Sequence, residues 1–425
     1  MVTFVWRVAT FFVKLKFSHL IIIPCSLVRN ILYCVCKQKS LTRTLVHNEG
    51  SDKILLTQNE QRVLSLIEKD PFLSQQEIAT QLELPRSTVA TVVSSLTSKK
   101  QLLGRAYVVN HGAEIFCIGG MNIDRKYLLE EELMAKTSNP VTSSFSVGGV
   151  ARNISENLGR LELNVNLLSI GGRDQDFEFM KQSTEPFVDF QHVTQMSEYS
   201  TGSYVALLDQ EGDMQLALAD MSVCDAMDLE WVSSYQNLLS KAKLIVVDLN
   251  LPLETVEYVI ELARKYTIDL VVIPVSSPKM SHLPRELSMV KWLIVNLDES
   301  ETFFNKKVET EADVADLVDS WLATGVENVI ITRSQESTFY GNQAGDRMQF
   351  TPPFSPHVED VTGAGDSYAS GLIYGQLQGY SAKESIQLAM TNAYYTIQSP
   401  KTVRLDLTRE VLEKQTYELK ERGII

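Results

Sequence analysis

The chain has 425 residues, 44% of them hydrophobic, and a formal net charge of −14. That length and apolar content fit two or three domains with sizeable cores. The acidic balance excludes a protein that coats nucleic acid along its whole surface, while leaving room for one local DNA-binding face. Charge is unevenly spread: residues 1–48 hold seven Lys/Arg and no acid, which leaves 32 basic against 53 acidic residues in the remainder. Of five cysteines, Cys25, Cys34 and Cys36 fall at the front, and Cys117 and Cys224 lie far apart in the body. None has metal-ligand spacing, so a reducing, cytoplasmic setting without a disulfide framework is expected. The six His residues are scattered, which argues against a His-based metal site.

The basic, apolar extension over residues 1–50 does not read as a stable membrane span. Its longest uncharged run, Phe17 to Val28, contains Pro24 and falls short of the roughly 20 residues a spanning helix needs. Lys14, Lys16 and Arg29 also break the order of a basic start followed by an apolar core that marks a signal peptide. One reading is an amphipathic segment on a membrane surface. The expected reading is an extension without fixed structure, or a start of translation placed too early.

Residues 51–110 read as a small helical module. Leu56, Val63, Leu64 and Ile67, then Ile78 and Leu82, then Val89, Val92, Val93 and Leu96 recur at helical spacing, punctuated by Pro71 and Pro85. Thr57 and Ser74 precede Glu60 and Glu77 by the capping-box interval. Helices over 58–69, 75–81 and 86–99 are predicted, followed by a short strand pair around Leu102–Val109 that turns near Gly104. The arrangement resembles the winged helix-turn-helix of bacterial regulators, whose third helix reads DNA. On that resemblance Arg86, Ser87, Thr88 and Thr91 would face base edges, while Lys99, Lys100 and Arg105 would face phosphates. The third helix and wing hold four cations and no acid, the electrostatic footprint DNA binding asks for. A three-helix unit that only contacts protein is the plainer alternative.

From residue 113 the pattern changes. Apolar runs at 115–118, 165–170, 244–247, 270–273, 292–295 and 329–331 alternate with helix-like stretches, as buried parallel strands do. An α/β architecture follows, with ligands at the carboxyl ends of the strands. Thr201–Asp209 and Asp213–Ala219, joined through Gln210-Glu-Gly212, read instead as a β-hairpin. With Thr142–Val147 it is expected to form a small sheet over the substrate, a lid built from about 125–147 and 200–220.

The most informative segment is Asp360-Val-Thr-Gly-Ala-Gly-Asp366, followed by an apolar, helix-favouring run. Glycines ahead of a helix let backbone N–H groups converge, and the helix dipole adds positive potential, so this is an anion site. Asp366 at the helix entrance is placed to take a proton from a hydroxyl while the N–H groups of Gly363, Ala364 and Gly365 hold a phosphoryl group in transfer.

Four blocks, Gly119-Gly-Met-Asn-Ile-Asp124, Gly148-Gly-Val-Ala-Arg-Asn153, Asn296-Leu-Asp-Glu299 and the Asp360–Asp366 segment, stand in the order seen in ribokinase-like (PfkB) carbohydrate kinases. The body resembles that family over about 300 residues. Within it, Ser138-Asn-Pro140, Arg152 before Asn153, Gly202-Ser-Tyr204 and Ala219-Asp-Met221 bring it nearest the pseudouridine kinases. The resemblance implies a three-layer α/β/α sandwich at 113–425 with a small β lid, preceded by the winged module. It implies ATP and Mg²⁺, and transfer to the 5′-hydroxyl of a nucleoside, pseudouridine foremost. Asn122, Asp124, Gly148, Gly149 and Asn153 would then hold the sugar, and Asp220 the nucleobase, with a lid-turn carboxylate as its plainer reading. Asn296 and Glu299 would hold the metal through water. Thr332, Thr362 and Asn392 would lie on the nucleotide side, Asn392 having a solvated helix position as its alternative. A homodimer is expected, since lid hairpins and DNA-reading modules both tend to pair. A ribokinase-type sugar kinase, and a nucleoside-sensing transcriptional regulator with a degraded kinase domain, stand as alternatives.

Three positions depart from the family pattern. The turn expected as Thr-x-Gly-x-x-Gly reads Thr332-Arg-Ser334-Gln-Glu-Ser337, an expected Asp-Pro reads Ile273-Pro274, and a Gly-x-Asp-x-x-Gly turn ends in Phe177. Each is expected to narrow the nucleotide site or tilt a loop, leaving the base, the anion hole and the metal pair in place.

Overall fold

The computed structural model describes residues 56–69, 73–99, 102 and 115–425. The expectations for residues 1–55, for the strand pair around 102–109, and for Lys100 and Arg105 lie outside the described residues. The chain divides into two units, Met1–Tyr107 and Val108–Ile425.

In the first unit the helices are α1 (Gln58–Lys69), α2 (Gln75–Leu82) and α3 (Arg86–Ser98), within a residue of the spacing-based expectation. Both capping boxes form. The Thr57 and Ser74 hydroxyls accept from the Glu60 and Glu77 amides, and each carboxylate accepts from the amide of its cap. Val63, Ile78, Val89, Val92 and Leu96 meet in a small core. On the opposite side of α3, Arg86, Ser87 and Thr91 are exposed and Thr88 is half-buried. Lys99 departs from expectation. Its ammonium sits 2.7 and 2.8 Å from the two Glu60 oxygens, and Ser95 donates to the same carboxylate at 2.7 Å. Lys99, Ser95 and Thr57 together hold the Glu60 carboxyl down to about 2. The lysine is therefore committed to a buried carboxylate within the module, not presented to a phosphate.

In the second unit the strands are β1 (Ile115–Ile118), β2 (Asn122–Leu129), β3 (Val141–Gly148), β4 (Val165–Gly172), β5 (Val193–Met196), β6 (Gly202–Leu208), β7 (Met214–Asp220), β8 (Leu244–Asp248), β9 (Asp269–Ile273), β10 (Trp292–Asn296), β11 (Asn328–Thr332), β12 (Thr338–Asn342) and β13 (Arg347–Phe350). The helices are α4 (Val150–Arg160), α5 (Gln175–Thr184), α6 (Leu229–Ser234), α7 (Gln236–Leu239), α8 (Leu253–Tyr266), α9 (Leu297–Phe304), α10 (Glu311–Leu322), α11 (Ala364–Leu377), α12 (Ala382–Thr396) and α13 (Arg409–Glu421). Nine strands pair in the order β13-β12-β11-β10-β9-β8-β1-β4-β5, and four more in the order β3-β2-β6-β7. In the large sheet the strands from β11 across to β5 are parallel, and β12 and β13 add an antiparallel edge.

The large sheet is apolar on both faces because its strands are covered on both. Ile115 and Cys117 of β1, with Leu244 and Val246 of β8, pack toward α4, α11, α12 and α13. Their neighbours Phe116, Ile118, Ile245 and Val247 pack toward α8 and α10. The alternation of a pleated strand thus feeds two cores, giving the three layers expected.

The four-stranded sheet contains the expected hairpin, with Ser203 opposite Asp220 and Leu207 opposite Leu216. It also takes in β2 from Asn122 onward, ahead of the expected lid boundary near 125. Asp124 therefore lies inside a lid strand rather than just after a core strand. The outer strand β7 is exposed along its whole length, including Met214, Leu216 and Leu218.

One carboxylate joins the two sheets. Asp248, at the carboxyl end of β8, is buried and accepts the amides of Gly120 and Ala151 on Oδ2 and of Asn250 on Oδ1, each at 2.9 Å. It fixes both the link from β1 to β2 and the start of α4. Each buried amide left unpaired costs about 1–3 kcal/mol. Asp248→Ala is expected to lower the unfolding free energy by about 3 kcal/mol or more, measured by urea denaturation. A loss below about 1 kcal/mol would show that water replaces the carboxylate.

Candidate active site

Three chain segments converge at the carboxyl end of the central strands. The first is the start of β2. Asn122 and Asp124 are two residues apart in a strand and so share a face. Asn122 Nδ2 donates to Asp124 Oδ1 at 2.6 Å, and both side chains are buried. Burial raises the Asp124 carboxyl to about 6, and the neighbouring Asp360 charge adds to this, while Asn122, Lys126 and Arg152 pull it back.

The second is the Gly148-Gly149 pair that joins β3 to α4. A Cβ on Gly148 would stand 2.2 Å from Asp124 Oδ2, so the glycine is what lets the carboxylate lie against the chain. Gly149 has φ of +96°, and a Cβ there would meet the backbone of Met121 at 2.4 Å. Four residues on, Asn153 faces inward from the first turn of α4, with Arg152 donating to its Oδ1 at 2.8 Å.

The third is the start of α11. Gly363 takes φ of +84°, and a Cβ would collide with the Thr402 carbonyl at 2.2 Å. Only glycine satisfies both constraints. Asp366 on the first turn accepts from Asn153 Nδ2 at 2.7 Å. Burial raises its carboxyl to about 7; the Asn153 hydrogen bond and Arg152 oppose the shift, and Asp248 and Asp124 reinforce it. At neutral pH this carboxyl therefore sits near its midpoint, the condition a general base works best in.

The glycine amides divide. Ala364 N–H is used within its own turn, donating to the Val361 carbonyl at 3.2 Å. It is therefore not free to join an anion hole as expected. Gly363 and Gly365 have no protein acceptor among the described residues, and a Cβ on Gly365 would meet nothing within 4 Å. An anion hole here would rest on these two glycines and the α11 dipole.

Beside Gly365 opens a cavity of about 370 Å³, walled by Thr332, Ser334, Phe354, Val361, Tyr368 and Tyr394 among others. Its apolar walls suit a flat aromatic ring, and Gly365, one of the two glycines with a free amide, is part of its lining. Thr332, at the end of β11, lies in this wall. Thr362 does not: its hydroxyl donates to Asp360 at 2.7 Å and receives Lys126 at 3.2 Å. Asn392 is neither solvated nor in the cavity. It is fully buried, donating to Asn157 at 3.1 Å and to the Ser367 carbonyl at 2.9 Å, and accepting from Arg404. Met390, Ala393, Tyr394 and Ile397 of the same region line the cavity instead.

Asn296 and Glu299 form the capping box of α9. Asn296 Oδ1 accepts the Glu299 amide and Glu299 Oε2 accepts the Asn296 amide, both at 2.8 Å. Burial raises the Glu299 carboxyl to about 7. One carboxylate oxygen is thus consumed by the helix start, and no cluster of three acidic, His or Cys ligands exists among the described residues. Glu299 Oε1 is left over by the cap and, once the carboxyl is ionised, would suit a divalent ion held through water, whose charge would in turn favour the ionised form. Asp220 is exposed at the end of β7 with its carboxylate accepting from the Ser222 hydroxyl at 2.8 Å.

Sequence reasoning passed over Lys126 and Asp248, and gave Asp360 no role of its own within its block. Asp248 closes an apolar strand at the end where α/β ligands gather, which is a readable signal. Lys126 becomes visible only once 122–129 is recognised as a strand, since it then shares a face with Asp124.

Residues 113–408 match the model of the pfkB family carbohydrate kinases, and residues 56–99 that of a winged helix-turn-helix DNA-binding domain. The uncharacterized sugar kinase YeiI of Escherichia coli is 28% identical over 80% of this chain and 93% of its own length. The pseudouridine kinase of the same organism is 29% identical over 65% of this chain and 87% of its own. Among solved structures, a carbohydrate kinase from Agrobacterium tumefaciens matches with a TM-score of 0.63 and 25% identity over 74% of this chain and 98% of its own. An Arabidopsis thaliana ribokinase complexed with ribose and ATP gives 0.62 at 15% identity, over 72% and 98% respectively, which bears on the fold alone. With its ordered blocks, its ribokinase-like fold and these matches, the chain belongs to the pfkB family of carbohydrate kinases and carries an N-terminal winged helix-turn-helix domain.

Proposed function

We propose that this kinase transfers the γ-phosphoryl group of ATP to the 5′-hydroxyl of a nucleoside, with pseudouridine as the acceptor, in the cytoplasm. The observation that carries the reading is Asp366: a buried carboxyl with its pKa raised to about 7, hydrogen-bonded to Asn153, at the head of a helix whose glycine amides are free. Sequence similarity to a pseudouridine kinase and to a guanosine-inosine kinase from Exiguobacterium acetylicum supports a nucleoside acceptor.

Asp124 accepts hydrogen bonds from a vicinal diol, for which a carboxylate's two oxygens are suited, and Asn122 keeps that carboxylate oriented. The acceptor's primary hydroxyl then lies toward Asp366, which takes its proton as the oxygen attacks the γ-phosphorus. The bond to the β,γ-bridging oxygen breaks, ADP leaves, and a phosphate monoester forms. Gly363 and Gly365 amides meet the developing charge. The adenine ring enters the apolar cavity beside Thr332 and Tyr368. Mg²⁺ bound near Glu299 and Asn296 would neutralise phosphate charge. Asp220, on the lid's last strand, offers an acceptor to the extra N–H that distinguishes pseudouridine from uridine. The exposed β7 face suits pairing with a second copy of the lid, which light scattering would register as a dimer.

The purified protein is expected to consume ATP with pseudouridine in preference to uridine, inosine, ribose or fructose 6-phosphate; silence with every acceptor removes the kinase reading. Asp366→Asn should lower kcat by about 10²–10⁴-fold with nucleoside binding retained. The pH profile follows from the same group. Below about 7 the Asp366 carboxyl is protonated and cannot accept a proton. The rate should therefore climb with pH to a plateau above that value, and the residual rate of Asp366→Asn should lack this step.

A second reading concerns the winged domain, where the exposed Arg86, Ser87 and Thr91 face supports DNA binding. Gel-shift titration on the DNA upstream of its own gene should show Arg86→Ala binding more weakly. Lys99→Ala should act instead by lowering the thermal stability of the module, since Glu60 holds that lysine. Equal DNA affinity for wild type and Arg86→Ala would rule out α3 as the reader.

A further inference from the structure

Lys126 belongs to the lid, two residues beyond Asp124 on β2. Its ammonium is paired with the Asp360 carboxylate and lies 3.2 Å from Thr362 Oγ1. The two partners are 234 residues apart in sequence, and both side chains are largely buried, at 28% and 18% exposure. Asp360 in turn shapes the phosphate-holding turn. Its Oδ1 accepts the Thr362 amide at 3.0 Å and hydroxyl at 2.7 Å, and its own amide donates to the Ile397 carbonyl at 3.3 Å. The next residue is Gly363, whose left-handed conformation aims the free amides. A continuous line of contacts therefore runs from the strand that holds Asp124, through Lys126 and Asp360, to the glycines and Asp366.

We propose that Lys126 is a positioning residue that couples seating of the acceptor on the lid strand to the formation of the phosphoryl-holding turn, acting through Asp360. The proposal rests on the kinase reading and deepens it. The ion pair exists only while β2 lies against the turn. An acceptor bound to Asp124 holds the same strand in the same place, so the acceptor and the turn favour one arrangement between them. Two ligands that favour one arrangement raise each other's affinity, and the effect is reciprocal. Lys126 is not an acceptor contact in this scheme, because its ammonium is turned to Asp360 and Thr362.

The test compares wild type, Lys126→Met and Lys126→Arg. The imido analogue of ATP with Mg²⁺ is titrated calorimetrically with and without saturating pseudouridine, alongside kcat, the two KM values and thermal stability. Wild type should bind the analogue about fivefold or more tightly when pseudouridine is present. Lys126→Met should lose that enhancement and at least about tenfold in kcat, while its affinity for each ligand alone stays within about twofold of wild type. Lys126→Arg should recover most of both, which loss of packing alone would not explain. Retention of the enhancement in Lys126→Met, or its absence in wild type, overturns the proposal. So does a loss confined to pseudouridine affinity, which would make Lys126 an acceptor contact. If wild type shows the enhancement but turns over no acceptor, the kinase reading fails while the coupling role stands.

Discussion

The hydrogen bond from Asn153 to Asp366 is the constraint on which the site depends. It joins the first turns of α4 and α11, two helices that reach the same point from widely separated parts of the sequence. A buried carboxyl tolerates its position only if it is hydrogen-bonded, and Asn153 is the side chain that meets this need. The contact is held from behind by a second buried network. Asn157 of α4, Ser367 of α11 and Asn392 and Thr396 of α12 exchange hydrogen bonds, and Arg404 closes the set on Asn392. A polar network of this kind specifies one packing of the helices, since any slip leaves several members unsatisfied at once. Asn392 thus serves the site from a distance, by fixing the helix that carries Asp366.

The electrostatics follow from this packing. Asp124 and Asp248 lie close enough to Asp366 for their charges to raise its carboxyl, and burial raises all three. Arg152 is the internal counterweight. It is fully buried, donates to the Val147 carbonyl and to Asn153, and pairs with Glu156. Its charge is thereby paired with Glu156, and it reaches Asp366 only through space and through Asn153. Asp366 is left balanced between its two protonation states, which a direct salt bridge would prevent by holding it ionised and weakly basic.

Much of this was legible in the chain. The parallel strands announced themselves as apolar runs, because both their faces are covered. The Asp360–Asp366 block carried its tight turn in its spacing, because glycine at 363 is demanded by both φ and the Thr402 carbonyl. The capping boxes of the helical module were readable because capping is local. What was hidden is nonlocal. Strand β2 looks irregular in sequence because Arg125, on the face opposite Asn122, Asp124 and Lys126, is charged as well and breaks the usual alternation; it pairs with Asp176 and Ser203, both distant in sequence. The spacing of Asn296 and Glu299 suits both a helix cap and a metal anchor, and only the fold shows that the cap takes one oxygen. Ala364 sits between two glycines with free amides, yet the turn consumes its own. Lys99 reads as a free cation until Glu60 is seen beneath it.

The three departures from the family pattern gain their meaning from the same nonlocal view. Ser334 adopts φ of +51°, a left-handed conformation that costs a non-glycine residue about 1–2 kcal/mol. Glu336 does not project a bare charge toward phosphate, because Arg333 pairs with it. Phe177 does not line the cavity beside Gly365. It is buried 6.1 Å from the ring of Phe190, over Gly171, where a Cβ would approach its ring within 2.5 Å. The small residue at 171 and the large one at 177 are thus a matched pair. Ile273, where an Asp precedes Pro in the family pattern, is part of the core beneath α11. Phe177 and Ile273 therefore bear on packing, while Ser334 stands in the wall of the cavity beside Gly365, which stays open. A chain drifting away from catalysis would be free to close that cavity or to let its candidate base turn away from Asn153; here the cavity is open, Asp366 stays hydrogen-bonded to Asn153, and the amides of Gly363 and Gly365 stay out of the turn's own hydrogen bonds.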